Sequence, residues 1–329
     1  MTEPIRWGIL GTGMIAHKFA DGLAALPDAQ LVAVGSRTAE GAAAFADQYH
    51  IPRRHASYEA LAADPQVDAI YVSTPHPFHC ENTLLCLDHG KAVLCEKPFA
   101  INARESARMI ERARAKGLFL MEAMWTRCLP VFQRLHELLA EQAIGELRMV
   151  TADFGFRVDF DPKSRLFDPA LGGGALLDVG IYPISLAHLL FGPPSTIHAL
   201  ADIGQTGVDE QTAIVMRYPA GQLALLSTAV RLNTPHEAII SGTHGIIRIP
   251  PSWWVARRMI VSRAGQPDEV IEPLFVGNGY NYEAAEVMRC LRAGLTESPI
   301  MPLDETLAIM QVLDAIRAQW GLVYPTERA

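Results

Sequence analysis

Short apolar runs alternate with amphipathic helical patterns along the first third of the chain. The runs predict six strands, at residues 6–10, 30–35, 53–56, 69–73, 91–95 and 118–121. The patterns between them predict helices at residues 14–26, 39–49, 58–63, 79–89 and 102–116. Strands that alternate with helices in this way are typical of a parallel sheet with helices on both faces. This part of the chain is therefore predicted to be a doubly wound α/β domain.

The pattern changes after about residue 123. A helix predicted at residues 130–141 is followed by strands that mostly succeed one another directly, at residues 147–158, 196–203, 211–218, 222–230, 236–241, 245–249, 259–263 and 269–273. Further helices are predicted at residues 175–191, 282–293 and 303–320. Such a succession is typical of an α+β domain with a large, mostly antiparallel open sheet. Because helices on one face leave the other face uncovered, we expect that face to pair with a second copy in a two-fold dimer.

A glycine motif follows the first predicted strand. The strand leads into Gly11-Thr12-Gly13-Met14-Ile15-Ala16, which has the spacing G-x-G-x-x-A and precedes a helical pattern. Gly11 permits a tight turn, Gly13 lets the backbone approach a pyrophosphate, and the helix N-terminus supplies free N–H groups. The motif predicts an NAD(P)-binding Rossmann domain over residues 1–122, and residues 123–329 become the domain for substrate and oligomerisation.

The end of the second strand indicates which dinucleotide binds. In this fold an acidic residue at that point holds the 2′-hydroxyl of NAD. This chain has Ser36 and Arg37 there, which suit a 2′-phosphate, although Arg37 could also be an ordinary solvated residue. We expect NADP(H) to be preferred over NAD(H).

Ligands of open α/β sheets bind beyond the carboxyl ends of the strands, and two more strand ends carry polar residues. The fourth strand ends in Thr74-Pro75-His76, with His79 three residues further on, and the fifth ends in Glu96-Lys97-Pro98. A Lys in this position can contact the cofactor and polarise a substrate oxygen. Taken alone, the same Lys could be a surface residue.

Together, the glycine motif, Thr74-Pro75-His76 and Glu96-Lys97-Pro98 resemble the glucose–fructose oxidoreductase/inositol dehydrogenase (Gfo/Idh/MocA) family. The resemblance covers essentially the whole chain. Residues 94–99 and 119–127 resemble its dimeric dihydrodiol dehydrogenase branch. The resemblance implies cofactor contacts at Thr74, Pro75, His76, His79, Glu96 and Lys97, and a substrate contact at Trp125.

The candidate acid–base residue lies in the second domain. Asp178 and Tyr182 follow a run of three glycines and stand four apart, so that on a helix they share one face. Pro183 could delay the start of that helix and weaken the argument. Many family members have His where this chain has Tyr182, and the branch resembles this chain in having Tyr. A phenol has an ordinary pKa near 10, so Lys97 is expected to assist it, with Asp178 orienting Tyr182 or the substrate.

Other residues are left open or are expected to be structural. Arg127, Arg157 and Arg165 could reach a substrate or a phosphate, or could equally form interdomain ion pairs. Trp253-Trp254 is expected at an edge or oligomer contact. The five cysteines form no C-x-x-C pair, which favours buried thiols in the cytoplasm over disulfides, and no metal is implied.

Charge and length bound the partners. The net charge of −8 argues against nucleic acid or a membrane surface, and we expect neither a signal peptide nor an apolar stretch approaching the ~18 residues of a membrane span.

The sequence therefore predicts a cytoplasmic NADP-dependent oxidoreductase. It would transfer a hydride between the nicotinamide and a secondary alcohol or ketone of a small polyol, sugar or trans-dihydrodiol. The alternatives are a sugar oxidoreductase with tightly held cofactor, or a non-catalytic NADP-sensing regulator of the same fold.

Overall fold

In a computed structural model that describes residues 3–328, the chain forms two compact units. The first takes in the chain up to Cys128 together with Val276–Leu307, and the second takes in Leu129–Phe275 and the chain from Ala308 onward. This division differs from the predicted boundary at residue 123, because Val276–Leu307 returns to the first unit. There the Leu120 N–H donates to the Thr296 carbonyl over 3.1 Å. Only tertiary contacts of this kind recruit so distant a segment.

The first unit contains a six-stranded parallel sheet, as predicted. Its strands are β1 (Ile5–Leu10), β2 (Ala29–Gly35), β3 (Arg53–His55), β4 (Ala69–Val72), β5 (Ala92–Glu96) and β6 (Leu120–Ala123). The helices between them are α1 (Met14–Leu23), α2 (Ala39–Tyr49), α3 (Tyr58–Ala62), α4 (His79–Asp88) and α5 (Ala103–Lys116). The strand order β3-β2-β1-β4-β5-β6 reverses between β1 and β4, which is where this fold binds its ligand.

The second unit begins with α6 (Pro130–Ala140) and contains an eight-stranded sheet. The strands are β7 (Leu147–Gly155), β8 (Thr196–Ile203), β9 (Asp209–Arg217), β10 (Leu223–Ala229), β11 (Ala238–Gly242), β12 (Gly245–Ile249), β13 (Met259–Arg263) and β14 (Glu269–Ile271). Their order is β14-β13-β12-β11-β7-β10-β9-β8. β7 pairs with β10 in parallel, and the other pairings described in this sheet are antiparallel. The prediction of a mostly antiparallel sheet is confirmed.

The two faces of this sheet differ in burial. Buried and exposed side chains alternate along residues 212–217 of β9 and 223–226 of β10. Ile214, Met216, Ala224 and Leu226 are therefore buried on one face. The opposite face exposes apolar side chains at 40–79%, namely Leu200, Val215, Leu223, Leu225, Ile246 and Val270. Uncovered apolar area of this kind on a sheet indicates an interaction surface.

The predicted helix at residues 175–191 has two parts. Leu176–Gly180 is a π-helix, and α7 (Ile181–Phe191) continues it as an α-helix. The helical stretch Pro169–Phe191 is long and apolar enough to cross a membrane, which corrects the expectation that no stretch would qualify. However, 78% of its most apolar window is buried in the protein. A helix that is apolar all round and buried in this way is typical of a protein core.

Two helices complete the chain. α8 (Tyr280–Arg292) belongs to the first unit, and α9 (Leu303–Trp320) contributes residues to both units.

Candidate active site

The turn after β1 has the features of a dinucleotide-phosphate site. Gly11 has φ +103°, a conformation that side chains rarely adopt. A Cβ at Gly13 would meet nothing within 4 Å, so a ligand can approach its backbone. Gly13 is the N-cap of α1, and within the described residues no side chain caps this helix and its first turn holds no acid. These N–H groups and the positive end of the helix dipole fit a pyrophosphate.

The end of β2 places Ser36 and Arg37 beside this turn in the sheet. The Ser36 side chain is buried and its N–H donates to the His55 carbonyl, whereas Arg37 is exposed. Burial raises the pKa of the Tyr58 phenol, and the nearby Arg37 charge acts in the opposite direction. Arg37 thus lies exposed directly after β2.

The loop after β4 is held by His79. The His79 ring is fully buried, with Nδ1 2.8 Å from the Pro98 carbonyl oxygen and Nε2 2.7 Å from the Thr74 carbonyl oxygen. Burial lowers the pKa of His79 to about 4, so the ring is neutral at pH 7 and donates to one carbonyl at a time. His79 therefore links the loops after β4 and β5, while Thr74 and His76 lie nearer the surface at 8% and 9% exposure.

The loop after β5 carries Lys97. Glu96 is buried and accepts two hydrogen bonds, one from the Tyr71 hydroxyl and one, over 3.2 Å, from the Lys97 main-chain N–H. Tyr71 is itself buried in a stack on Phe19, with ring centroids 3.8 Å apart. Glu96 thus fixes the main chain of Lys97 from inside the protein, and the Lys97 side chain is half-buried.

A second buried acid stands near this carboxylate. Glu283 of α8 is fully buried, and burial, followed by the charge of Glu96, holds its pKa well above the usual range. A negative charge on Glu96 therefore disfavours a second charge on Glu283.

Trp125 and Arg127 are also placed in the first unit. Trp125 is 6% exposed and stacks on Tyr280, with ring centroids 4.6 Å apart and planes 13° from parallel. Arg127 is buried and pairs with Glu305 over 2.7 Å. Arg127 therefore forms an ion pair, but within the first unit rather than between domains as the alternative had it.

In the second unit, Asp178 lies in the π-helix and Tyr182 is the second residue of α7. Both side chains are buried, at 5% and 6% exposure. Asp178 Oδ1 accepts a hydrogen bond from the half-exposed Arg165 guanidinium over 2.9 Å. Single π turns inside helices are frequent at functional sites.

Sequence reasoning missed an aromatic cluster beside Tyr182. Phe154, near the end of β7, lies 5.4 Å from the Tyr182 ring and stacks on Trp254 at 3.4 Å. His236 meets the Trp254 ring edge-on at 4.8 Å. The prediction that Trp253 and Trp254 form an edge contact overlooked this, since stacking between residues 100 apart leaves no local pattern.

The side chains that could bind a metal ion are those of the His, Cys, Asp and Glu residues, and those of Cys could also react as thiols. In the part of the chain that the structure describes, no group of three or more His, Cys, Asp or Glu side chains is arranged to hold a metal ion. All five cysteines are buried. Burial raises the pKa of Cys80 to about 12 and that of Cys290 to about 11, so these thiols are unreactive at neutral pH.

One unit has a Rossmann fold with a glycine turn before α1 and with Lys97 fixed at the end of β5, and the other contains a large open sheet. These features are typical of a two-domain nicotinamide-dependent oxidoreductase. Comparison with known proteins agrees. Residues 5–124 match the model of the oxidoreductase family with an NAD-binding Rossmann fold, and residues 132–248 match the GFO/IDH/MocA C-terminal domain. The chain belongs to the Gfo/Idh/MocA family, and it is an NAD(P)-dependent dehydrogenase or reductase that acts on CH–OH groups.

Individual relatives cover the whole chain. It is 39% identical to trans-1,2-dihydrobenzene-1,2-diol dehydrogenase of Mus musculus, over 98% of this chain and 99% of that one. The aldose-aldose oxidoreductase of Caulobacter crescentus has a solved structure with TM-score 0.88 and 28% identity, covering 98% and 100% of the chains. The solved structure of a 3-ketoreductase of Actinomadura kijaniata with NADP and TDP-benzene has a TM-score of 0.84 and 25% sequence identity to this chain. The match covers 96% of this chain and 98% of that one.

Proposed function

We propose that this chain is an NADP-dependent oxidoreductase that transfers a hydride between the nicotinamide and a secondary alcohol or ketone of a small polyol, sugar or trans-dihydrodiol. The observation that carries the proposal is the way Lys97 is held. Its main chain is fixed on Glu96 at the carboxyl end of β5, which is the edge where ligands bind in this fold.

Tyr182, Lys97 and Asp178 have separate proposed roles in the transfer of the proton. When bound, the nicotinamide accepts or supplies the hydride. In the oxidative direction Tyr182 takes the hydroxyl proton of the substrate, and in the reductive direction it returns that proton. Lys97 supplies the positive charge that stabilises the phenolate and the developing alkoxide, and Asp178, itself paired with Arg165, orients the substrate or Tyr182.

The preference for NADP rests on Ser36 and Arg37. These residues stand where an NAD enzyme has an acid, and an exposed Arg offers a planar fork of donors to a 2′-phosphate. Gly11, Thr12, Gly13, Met14 and Ile15 would hold the pyrophosphate. Thr74, Pro75 and His76 would line the nicotinamide half, with the buried His79 and Glu96 acting through the loops they hold.

The proposed substrate class is supported by the aromatic cluster beside Tyr182 and by the names of the relatives. Phe154 and Trp254 present flat apolar rings beside Tyr182, which suit the faces of a carbocycle or sugar ring. We place Trp125 at the substrate as well. The relatives' names include both a cyclic diol dehydrogenase and an aldose oxidoreductase.

A substrate screen tests the function directly. Trans-diols, inositols, aldoses and ketoses are each incubated with the purified protein and NADP+ or NADPH, and absorbance of the reduced cofactor is followed. We expect turnover with at least one ring diol or sugar, faster with NADP(H) than with NAD(H). Tight cofactor binding without turnover of any compound would refute the proposal in favour of a sensor, and a retained cofactor would be found by denaturing the protein and assaying the supernatant.

We also propose that the exposed apolar face of the large sheet joins two copies in a two-fold dimer. The face exposes Leu200, Val215 and Leu225 at 79%, 46% and 43%, and self-complementary sheet faces suit a two-fold axis. Light scattering at micromolar concentration should give twice the chain mass, and Val215→Lys should give the monomer. A monomeric wild type contradicts this assembly.

The net charge of −8 and the buried thiols support a cytoplasmic enzyme whose ligands are small molecules rather than nucleic acid or membrane. A fluorescent fusion would locate it.

A further inference from the structure

The turn before the π-helix is built around Gly174. Gly174 has φ +118°, and its N–H donates to the Leu166 carbonyl over 2.9 Å. A Cβ at this position would lie 2.3 Å from Asp209 Oδ1, closer than side chains tolerate. The glycine therefore leaves room for the carboxyl group of Asp209, which is distant from this turn along the chain.

Asp209, the first residue of β9, reaches the turn from the sheet. It is fully buried, and its Oδ2 accepts the Leu176 main-chain N–H over 2.7 Å and the Thr212 hydroxyl over 3.2 Å. Its Oδ1 has no hydrogen-bond partner among residues 3–328. Leu176 is the first residue of the π-helix, so the carboxyl group fixes the start of the segment that carries Asp178 and then Tyr182.

The charged groups around Asp209 come from the end of the chain. Burial raises the pKa of Asp209 to about 7, with the Arg317 charge of α9 acting weakly in the opposite direction. Arg317 is already paired with Glu327 over 2.8 Å and with Asp314 over 2.7 Å. Tyr324 lies under the Arg317 guanidinium, and its hydroxyl donates to the Gly173 carbonyl over 2.7 Å. No direct ion pair therefore compensates the Asp209 carboxylate among the described residues.

We propose that Asp209 is a positioning residue, which sets the place of the π-helix and, through it, of Asp178 and Tyr182. The inference rests on the role proposed for Tyr182. A residue kept only for stability would not be a fully buried ionisable group with one oxygen lacking a partner, because burying such a group costs free energy that an apolar side chain does not. A carboxyl group accepts both donors on Oδ2 and sets only a bare oxygen against Gly174, whereas an amide in its place would set a buried NH2 group without an acceptor there and displace the turn.

The pH dependence of the protein's stability follows from the direction in which the pKa of Asp209 is shifted. The carboxyl group has a pKa near 3.8 when unfolded and about 7 when folded, so the folded state holds its proton more tightly. Its contribution to stability is fully present below the unfolded pKa and is lost as the pH rises through about 7. The ionised group at pH 8 therefore destabilises the fold, and the amide of Asp209→Asn escapes this loss.

The experiment compares Asp209→Asn with wild type in three measurements. Turnover should fall roughly 10- to 100-fold, the scale of a small displacement of a reacting group. The difference between the melting temperature of the variant and that of wild type should shift in favour of the variant as the pH rises from 4 to about 7. Above about pH 7 this difference should stay constant. Hydrogen exchange should accelerate at the amides of residues 174–182 and not in the first unit.

Asp64→Asn is the matched control. Asp64 has a fully buried side chain in the first unit, accepts the Gln66 N–H over 2.9 Å and pairs with Arg53 and His55. Hydrogen bonds to those groups outweigh burial and lower its pKa to about 2. This variant should lose melting temperature relative to wild type between pH 2 and 5 and retain wild-type turnover per folded molecule.

Three outcomes overturn the proposal: unchanged turnover in Asp209→Asn, unchanged exchange at residues 174–182, or a melting temperature that falls equally at every pH. If Asp209→Asn does not fold, Thr212→Val removes only the hydroxyl donor, and a turnover equal to wild type then overturns the proposal. If wild type itself turns over no substrate, the proposed function fails, while exchange and melting still decide the role of Asp209.

Discussion

In the first unit, the main chain of Lys97 is held by its neighbour Glu96, by Tyr71 behind it, and by His79 on the adjoining loop. The donors and acceptors of these bonds lie 1, 25 and 19 residues apart. In the second unit, the turn that precedes Tyr182 is held through Leu176, Ala175 and Gly173 by Asp209, Thr228 and Tyr324. Those pairs lie 33, 53 and 151 residues apart.

The difference teaches that the two segments proposed to carry the reacting groups are fixed by different means. The Lys97 loop is held by side chains from β4, the start of α4 and β5, which follow one another along the chain, so its supports cluster in sequence. The main chain before the Tyr182 helix is held by Asp209 of β9, Thr228 of β10 and Tyr324 after α9, so its supports are spread along the second unit. Both groups could be named from the sequence, but only the supports of Lys97 lie close enough along the chain to form a local pattern.

The largest effect is expected from changing the two side chains proposed to react, Tyr182 and Lys97. Tyr182→Phe removes one hydroxyl and retains the ring against Phe154, so turnover should fall by roughly 10²–10⁴, the usual scale of general acid–base catalysis. Lys97→Met should reduce turnover at least as much, and the double variant should be little worse than either. Steady-state kinetics under conditions where hydride transfer limits the rate measure this.

Tyr218→Phe is the control for Tyr182→Phe. Tyr218 is a buried tyrosine of the same unit whose hydroxyl contacts the Met216 sulfur, and its variant should retain wild-type turnover. If Tyr182→Phe keeps more than about a tenth of wild-type turnover, the phenol is not the proton donor, and Asp178, His76 or a water on Lys97 takes its place.

A smaller effect belongs to the first unit alone. Arg37→Ala removes a charged donor worth roughly 1.5–3 kcal/mol, so the Kd for NADP(H) should rise by about one to two decades while that for NAD(H) hardly changes. Titration by NADPH fluorescence gives both constants, and Arg54→Ala, an exposed Arg paired with Asp47, is the control. Equal affinities for the two cofactors in wild type would remove the basis for NADP preference.

The smallest effect tests the support of Lys97. Tyr71→Phe keeps the stack on Phe19 and deletes the hydroxyl that donates to Glu96, so turnover should fall by up to about tenfold. The loss should vanish in a Lys97→Met background, because Tyr71 acts through Lys97. An equal fractional loss in both backgrounds would show that Tyr71 serves stability only, as would an unchanged turnover with a lower melting temperature.

Much of the first unit could be predicted from the sequence. The alternation of strands and helices gave every strand of the parallel sheet within two residues, and the glycine motif and Glu96-Lys97 stood at strand ends where the structure has them. The reason is that periodicity, turns and caps are encoded by neighbouring residues, as in Asn102, whose side chain caps α5 through the Glu105 N–H.

The sequence by itself therefore determined the fold class, the order of strands and the candidate groups Lys97 and Tyr182. Tertiary structure alone decided that Val276–Leu307 belongs with the first unit, that Trp254 stacks beside Tyr182 on Phe154, and that Asp209 holds the turn at Gly174. These contacts depend on which strands pair and in what register. Since register is set by burial over a whole sheet rather than by neighbours along the chain, no local pattern reveals them.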